Sequence, residues 1–355
     1  MTAFNLDQYL SEAIELLIKD ALRGTLKNPR ETAFFVQYGL AAKKAAGLRR
    51  RAAEAGGHIP AFLIASITDR CNLNCAGCYS RAQTNREPAP ELGREDWARV
   101  FKEACELGIS AILLAGGEPL MRADVLEEAT RHPSILFPVF TNGTMLKDTG
   151  LFEKHRHLFP VISIEGNEVT TDARRGAGVY TRVMQVMESL KSKDLPFGLS
   201  VTVTNKNIAQ VTAEKAAAKA REMGCKAIVF VEYVPITGPE LALDDAGRRM
   251  LAERAALLRE RQDIIIISFP GDEKESGGCL AAGRGFFHIN ARGGAEPCPF
   301  SPYSDSSVKT LPLRDVLQSP LFTRLRETGA LFKEHSGGCA LFEQAAFVQA
   351  LSGKN

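Results

Sequence analysis

Short apolar segments alternate with amphipathic helical segments from His58 onward, and this alternation limits the fold more than any other feature. Strand-helix-strand connections of this kind build a parallel sheet that is covered by helices. The sequence therefore predicts an α/β protein whose sheet curls into a full or partial barrel. The six predicted strands are residues 61–68, 110–116, 135–141, 160–165, 197–204 and 226–234.

Two regions without this alternation flank the predicted barrel. Residues 1–57 place apolar side chains at helical spacing, which predicts a helical extension. Residues 241–355 begin with a charged helix and the strand-like IIIISF, then become rich in Gly, Pro and Ser. We expect a small appendage there, with a hairpin turn at Arg292-Gly293-Gly294. The predicted organisation is thus 1–57, 58–240 and 241–355.

The charge and the opening residues exclude some classes of protein. The net charge is +2 over 355 residues, so no overall field attracts nucleic acid or a membrane surface. The opening MTAFNLDQYLSEAIELLIKD carries acids and no continuous apolar run, which argues against a secretory signal and a membrane span. We therefore expect a cytoplasmic protein with reduced thiols. A basic cluster, predicted to be a solvated helix face, comprises Lys43, Lys44, Arg49, Arg50 and Arg51.

Three of the eight cysteines lie in one short stretch, ITDRCNLNCAGCYSRA, directly after the first predicted strand. The thiolates of Cys71, Cys75 and Cys78 are soft ligands that suit an iron-sulfur cluster or zinc. A structural zinc site normally has four protein ligands, whereas this loop supplies three and has no histidine close by. A four-iron cluster on three thiolates keeps one iron without a protein ligand, and a substrate or cofactor can bind there.

Further motifs follow the next three predicted strands. They are Gly116-Gly117-Glu118-Pro119, Thr141-Asn142-Gly143 and Ser163-Ile164-Glu165-Gly166. The carboxyl ends of parallel strands meet at one edge of a sheet, so these motifs should lie beside the cysteine loop.

The C-x3-C-x2-C spacing, its place after the first strand and the Gly-Gly-Glu-Pro motif resemble the radical S-adenosylmethionine (SAM) superfamily over about residues 61–236. The resemblance implies a partial (β/α)6 TIM-like barrel. It also implies that Cys71, Cys75 and Cys78 hold a 4Fe-4S cluster whose open iron chelates the amino and carboxylate groups of SAM. Reduction would then split SAM into methionine and a 5′-deoxyadenosyl radical, which takes hydrogen from a substrate.

The same resemblance implies contacts to the methionine part of SAM. The segment from Gly116 to Pro119, including Gly117 and Glu118, would hold the amino group, because a carboxylate accepts strongly from an ammonium. Ser163 and Glu165 would face the carboxylate or the ribose, and Arg174 or Arg175 would supply a cation. A hydroxyl that caps a turn is the alternative for Ser163.

Two further SAM contacts are less direct. Asn142 belongs to the motif at the end of the third strand. The superfamily often has an aromatic residue before the third cysteine, near the adenine, whereas this chain has Gly77. We predict that Tyr79 packs against the adenine instead; a core tyrosine is the alternative.

A second set of cysteines lies in CLAAGRG, EPCPFSP and SGGCALF. The setting of Cys279, Cys298 and Cys339 resembles the twitch or SPASM extensions that bind an auxiliary 4Fe-4S cluster. The fourth ligand would be substrate, or a side chain such as His335 or Glu343. Ordinary buried cysteines are the alternative, as we predict for Cys105 and Cys225.

The favoured function is radical SAM chemistry on a small molecule or cofactor precursor, in an anaerobic setting, with flavodoxin or ferredoxin as electron donor. A peptide- or protein-modifying enzyme of the same superfamily is the alternative, although residues 1–57 lack the strands of a leader-binding winged-helix module. A zinc-stapled binding protein and a non-catalytic electron carrier are alternatives of another class. No catalytic acid or base is assigned. Glu232, His288, Tyr303 and Asp305 are candidates for the cavity, each with a structural role as the alternative.

Overall fold

The protein forms one curled sheet. Its structure, a computed structural model, describes residues 29–82, 89–269, 277–332 and 339–353. The first six strands coincide with the predicted segments apart from small shifts at their ends, and IIIISF forms a seventh. The strands in chain order are β1 (Phe62–Ser66), β2 (Ala111–Ala115), β3 (Phe137–Thr141), β4 (Leu158–Ile164), β5 (Phe197–Val203), β6 (Cys225–Glu232), β7 (Ile265–Phe269), β8 (Phe286–Ile289) and β9 (Ala295–Glu296).

The sheet order confirms the predicted α/β barrel class. Within the described ranges the order is β7-β6-β5-β4-β3-β2-β1-β8-β9, and the pairs are parallel except for β8 with β9. Each strand from β1 to β6 returns to the sheet through at least one helix, as parallel pairing requires. The sheet is open, because β7 and β9 are its edges. Aromatic contacts nevertheless bring its two sides together, since the rings of Phe269 and Phe286 lie 5.7 Å apart.

Helices cover the outside of the sheet. The helix Arg94–Leu107 buries Trp97, Val100, Phe101 and Ala104, as its apolar face predicts. The helices in chain order are α1 (Pro29–Glu54), α2 (Tyr79–Ala82), α3 (Arg94–Leu107), α4 (Ala123–Ala129), α5 (Gly150–Lys154), α6 (Glu168–Arg175), α7 (Val179–Ser192), α8 (Ile208–Val211), α9 (Glu214–Glu222), α10 (Asp245–Arg261), α11 (Leu313–Val316), α12 (Pro320–Glu327), α13 (Ala340–Glu343) and α14 (Ala345–Leu351).

The predicted hairpin at Arg292–Gly294 is part of the barrel sheet. β8 pairs in parallel with β1, and β9 returns antiparallel to β8. The turn between them places Gly293 at φ 92°, in the left-handed region that favours glycine. The chain beyond residue 240 therefore adds strands to both sides of the six-stranded unit.

A buried polar network fixes this hairpin to β1. His288 lies 2.7 Å from Ser66 Oγ through Nε2 and 2.7 Å from Glu296 Oε2 through Nδ1. Asn290 donates to Glu296 Oε1 at 2.6 Å. All four side chains are buried, so the network satisfies polar groups that would otherwise be costly there. His288, a candidate for the cavity, holds the hairpin beside β1 instead.

Helix α1 packs on the barrel through Arg49. Its Nη1 donates to the Gly108 carbonyl at 2.6 Å and lies 2.9 Å from Ser110 Oγ. Tyr38, on the same face of α1, donates to the Ser110 carbonyl at 3.1 Å. The prediction of a solvated basic face is therefore wrong for Arg49, which is buried, because its helical position shares the face of Tyr38. The exposed members are Lys43, Lys44, Arg50 and Arg51.

No helix in the described ranges is both long enough and apolar enough to cross a lipid bilayer.

Replacement of Arg49 tests its role. Arg49→Met leaves the Gly108 carbonyl and the Ser110 hydroxyl without this donor, so we expect the free energy of unfolding to fall by about 2 kcal/mol. Arg50→Met, at an exposed neighbouring position, should change it by less than about 0.5 kcal/mol. Urea denaturation followed by circular dichroism measures both changes. Equal losses in the two variants would contradict the assigned role of Arg49.

Candidate functional site

A cavity of about 1070 Å³ occupies the inside of the curled sheet. Alternate residues of the strands form its mainly apolar walls, as the pleat requires. The cysteine loop lies at the carboxyl ends of the strands, and α1 reaches the amino ends. The predicted site residues that line this cavity are Cys71, Cys75, Cys78, Tyr79, Gly116, Gly117, Asn142, Ser163, Arg175 and also Arg174.

Two glycines after β2 let the backbone pack directly on the cysteine loop. A Cβ on Gly116 would lie 2.3 Å from the Thr68 carbonyl oxygen, and a Cβ on Gly117 would lie 2.1 Å from that of Arg70. The Gly117 amide donates to the Thr68 carbonyl at 2.7 Å. No side chain fits at either glycine without moving the loop, so the motif fixes the approach to Cys71.

Glu118 ties the ends of β2 and β3 together. Its Oε1 accepts from Thr141 Oγ1 at 2.6 Å and from the Leu120 amide at 3.1 Å, while Oε2 accepts from the Asn142 amide at 2.8 Å. Burial raises the pKa of Glu118, and these hydrogen bonds oppose the rise. Glu118 and Pro119 lie behind the cavity wall rather than on it. A contact between the Glu118 carboxylate and the SAM amino group stays a prediction.

Asn142 braces the first part of the cysteine loop. Its side-chain amide donates to Asn72 Oδ1 at 2.9 Å and lies 3.9 Å from Cys71 Sγ. The Leu73 amide donates to Cys71 Sγ at 3.4 Å. Burial raises the pKa of the Cys71 thiol, and the Leu73 amide opposes the rise because it stabilises the thiolate.

Glu165 holds two arginines against the loop. Its Oε1 accepts from Arg174 Nη1 at 2.6 Å and from Arg175 Nε and Nη2 at 2.9 and 2.6 Å. Both arginines line the cavity, whereas Glu165 is buried behind them. The Arg174 carbonyl accepts from the Ala76 amide at 2.9 Å, which joins α6 to the loop. Burial raises the pKa of Cys75, and the two nearby cations lower it.

Tyr233, not Tyr79, occupies the space beside Gly77. A Cβ on Gly77 would lie 2.6 Å from the Tyr233 hydroxyl oxygen. Tyr233 lines the cavity and is 3% exposed, and its hydroxyl has no hydrogen-bond partner among the described residues. The Tyr79 ring meets Phe300 edge to face at 5.1 Å. The sequence signal for Tyr233 is weak, since it is one aromatic residue near the end of the sixth predicted strand.

The second cysteine set lies beside the same cavity. The Cys279 amide donates to the Leu331 carbonyl at 2.8 Å. Gln344 follows the short helix that begins after Cys339. Its side-chain amide donates to the Ala330 carbonyl at 3.0 Å, next to Leu331. Ala282 donates to the carbonyl of Pro297, next to Cys298, at 3.0 Å. These bonds gather the three segments that carry the buried thiols, and the adjacent Leu280, Pro299 and Phe300 line the cavity.

The metal-ligand role of both cysteine sets stays a prediction. In the part of the chain that the structure describes, no three His, Cys, Asp or Glu side chains are grouped to hold a single metal ion. In a 4Fe-4S cluster each thiolate binds a different iron, so its ligands stand farther apart than those of one ion. The candidate fourth ligand His335 lies outside the described residues.

The remaining candidates separate into cavity and packing residues. Ser163 lines the cavity beside its register partner on β5, Ser200. Glu232 also lines the cavity, and its Oε1 lies 3.6 Å from Arg248 Nη1 in an ion pair. Burial raises the pKa of Glu232, and the Arg248 cation opposes that rise. Asp305 accepts from the Leu321 amide at 2.7 Å, away from the cavity.

The other two cysteines and Tyr303 pack locally. Burial raises the pKa of Cys225 to about 12, which makes its thiol unreactive. Cys105 is half-buried and lies 3.2 Å from Ser134 Oγ. Tyr303 is half-buried and packs against the hydrophobic core.

Comparisons with known proteins agree with this arrangement. The sequence profile of the Radical SAM superfamily matches residues 65–215. The AdoMet-dependent heme synthase of Methanosarcina barkeri is 29% identical over 80% of this chain and 88% of its own length. The PqqA peptide cyclase of Gluconobacter oxydans is 25% identical over 76% of this chain and 80% of its own length. The structure of SuiB from Streptococcus suis, solved with bound S-adenosylmethionine, has the same fold, with a TM-score of 0.67 and 18% sequence identity. The superposition covers 83% of this chain and 77% of SuiB.

The buried ion pair at Glu165 can be tested by substitution. Glu165→Ala leaves two largely buried arginines without their shared carboxylate, so we expect the free energy of unfolding to fall by about 3 to 5 kcal/mol. Glu168→Ala, at an exposed position in the first turn of α6, is the matched control and should have little effect. Thermal denaturation of the purified chains measures the difference. A stable Glu165→Ala protein would show that the arginines do not depend on this carboxylate.

Proposed function

We propose that this chain is a radical SAM enzyme in which Cys71, Cys75 and Cys78 hold a 4Fe-4S cluster and SAM binds beside it. When bound, the cluster supplies one electron to the SAM sulfonium, giving methionine and a 5′-deoxyadenosyl radical that removes a hydrogen atom from the substrate. The observation that carries this proposal is the placement of the cysteine loop at the carboxyl end of the cavity.

Unpartnered polar groups around the loop support a SAM site. Within the described ranges, Arg174 Nε and the Tyr233 hydroxyl are buried without hydrogen-bond partners, and both residues line the cavity. Such groups are costly to leave unpaired, and a ligand that carries a carboxylate and ribose hydroxyls offers partners to both. Gly116 and Gly117 add a stretch of backbone that a ligand can approach closely.

The protein's own residues would prepare the site for this ligand. Arg174 and Arg175 favour the thiolate form of Cys75, which is the form that binds iron. Glu165 keeps both guanidinium groups in place, and the apolar strand residues below them exclude water from a reactive species.

We further propose that Cys279, Cys298 and Cys339 bind an auxiliary 4Fe-4S cluster. Support comes from the convergence of their three segments beside Leu280 and Phe300 on the cavity wall. A cluster held by these three cysteines would be able to accept the electron that a net oxidation of the substrate releases. A reduced flavodoxin or ferredoxin would supply electrons to the first cluster, in an anoxic cytoplasm.

For the substrate we propose a small molecule of tetrapyrrole size. The cavity lies inside the barrel and is mainly apolar, and its volume of about 1070 Å³ is large enough for a ligand of that size. The similarity to a heme synthase, which extends over 88% of that relative, favours the same class. A peptide substrate is the second candidate, favoured by the similarity to a peptide cyclase over 80% of its length.

Cysteine substitution separates the two proposed clusters. After anaerobic reconstitution, Cys71→Ala/Cys75→Ala/Cys78→Ala should lose about half of the iron and all dithionite-dependent release of 5′-deoxyadenosine. Cys279→Ala/Cys298→Ala/Cys339→Ala should lose about half of the iron and still cleave SAM. Cys105→Ala is the control that keeps both. Iron analysis and chromatography measure these outcomes, and SAM cleavage by the first variant would refute the proposal.

The substrate class has its own test. We expect iron coproporphyrin III, the compound named in a Methanosarcina barkeri synthase that is 29% identical over 42% of this chain, to increase 5′-deoxyadenosine release severalfold. The radical is consumed when a hydrogen atom is available at the right distance. A PqqA-type precursor peptide should leave the rate unchanged. Stimulation by the peptide and not by the porphyrin would replace the small-molecule assignment with the peptide one.

A further inference from the structure

The amino end of the barrel cavity carries excess positive charge. Four cationic and two anionic side chains line it there, so the excess is two charges. These residues are Glu31, Arg156, Arg221, Lys226, Arg259 and Asp263. The radical chemistry proposed above needs none of them, since its groups lie at the opposite end of the strands.

Arg156 and Lys226 are two of the four cations that line this region. Arg156 is half-buried, and its Nε is buried without a partner among the described residues. Its guanidinium makes a long contact of 3.4 Å with the Asp194 carbonyl. Lys226 is half-buried in the second position of β6. A guanidinium donor left unpaired in a cavity favours an anionic ligand.

The pKa of the Glu31 carboxyl responds to both Arg156 and Lys226. It is buried at the start of α1 and lines the cavity. Burial raises the pKa of Glu31, and Lys226 and then Arg156 lower it, with Asp194 adding to the rise. Both cations therefore act on a carboxylate of the chain itself, and their field extends into the adjoining space of the cavity.

The two ends of the cavity are separated by the length of β6. Seven residues separate Lys226 from Tyr233, which lies beside the cysteine loop, and a strand rises about 3.3 Å per residue, so the separation is roughly 20 Å. A ligand that reacts near the loop and also reaches the basic end must be elongated and anionic at its far end.

We propose that Arg156 and Lys226 bind a carboxylate at the far end of the substrate and thereby set which end of it faces the cysteine loop. The inference rests on the proposed function and adds to it the charge and the orientation of the substrate. The site recognises a carboxylate at the edge of the tetrapyrrole-sized molecule proposed above. Its two cations act as positioning residues and take no part in SAM cleavage.

Binding of an acid and of its ester tests this site. The probes are iron coproporphyrin III and its tetramethyl ester, titrated into the reconstituted protein by absorbance. We expect Arg156→Gln and Lys226→Gln each to weaken binding of the acid about tenfold. Both variants should bind the ester as the unsubstituted protein does. Lys219→Gln, on the exposed face of α9 and away from the cavity, is the matched control and should bind both probes normally.

Two further measurements, SAM cleavage and competition by phosphate, distinguish failure of the carboxylate site from failure of the proposed function. Substrate-independent cleavage of SAM is measured in the unsubstituted protein and in Lys219→Gln. Absence of that cleavage in both tells against the proposed function and not against the carboxylate site. Inorganic phosphate should not displace the acid at millimolar concentration. The inference is overturned if acid and ester bind equally, if neither binds, if Lys219→Gln weakens the acid as much as Lys226→Gln, or if phosphate displaces the acid.

Discussion

The cysteine loop takes its shape from close packing of backbone on backbone. Gly116 and Gly117 lie where any Cβ would meet the carbonyl oxygens of Thr68 and Arg70 at little more than 2 Å. The Glu118 carboxylate then fixes the end of β2 to the end of β3, because it accepts hydrogen bonds from the Thr141 hydroxyl and the Asn142 amide. The ends of three neighbouring strands are thereby joined before any cofactor binds, and the positions of the three thiols follow from that junction.

The charged side chains at the site have two different roles. Arg174 and Arg175 line the cavity, whereas Glu118 and Glu165 are buried behind its wall. Glu165 is paired with two arginines, so its carboxylate acts on the cavity through them. Glu118 is held entirely by hydrogen bonds and lies behind the wall. The groups left facing the cavity are therefore the cations Arg174 and Arg175 and the Tyr233 hydroxyl, a set that suits a ligand rich in acceptor oxygens.

The sequence predicted the parts of this protein that depend on local pattern. Alternating segments located β1 to β7, and motif spacing brought Gly116, Asn142 and Ser163 to one end of the cavity. Contacts between distant segments were beyond that reasoning. The parallel pairing of β8 with β1, the burial of Arg49 and the packing of Tyr233 on Gly77 each join residues more than fifty positions apart. Pattern does not encode such partners.

The claim that joins these observations is that three loop thiolates leave one iron open for SAM. The most direct measurement is electron paramagnetic resonance of the dithionite-reduced protein in which Cys279, Cys298 and Cys339 are replaced, so that the loop cluster alone contributes. The account predicts a 4Fe-4S signal whose g values change when SAM is added. A signal that is identical with and without SAM, or a protein that binds zinc and no iron, would contradict it.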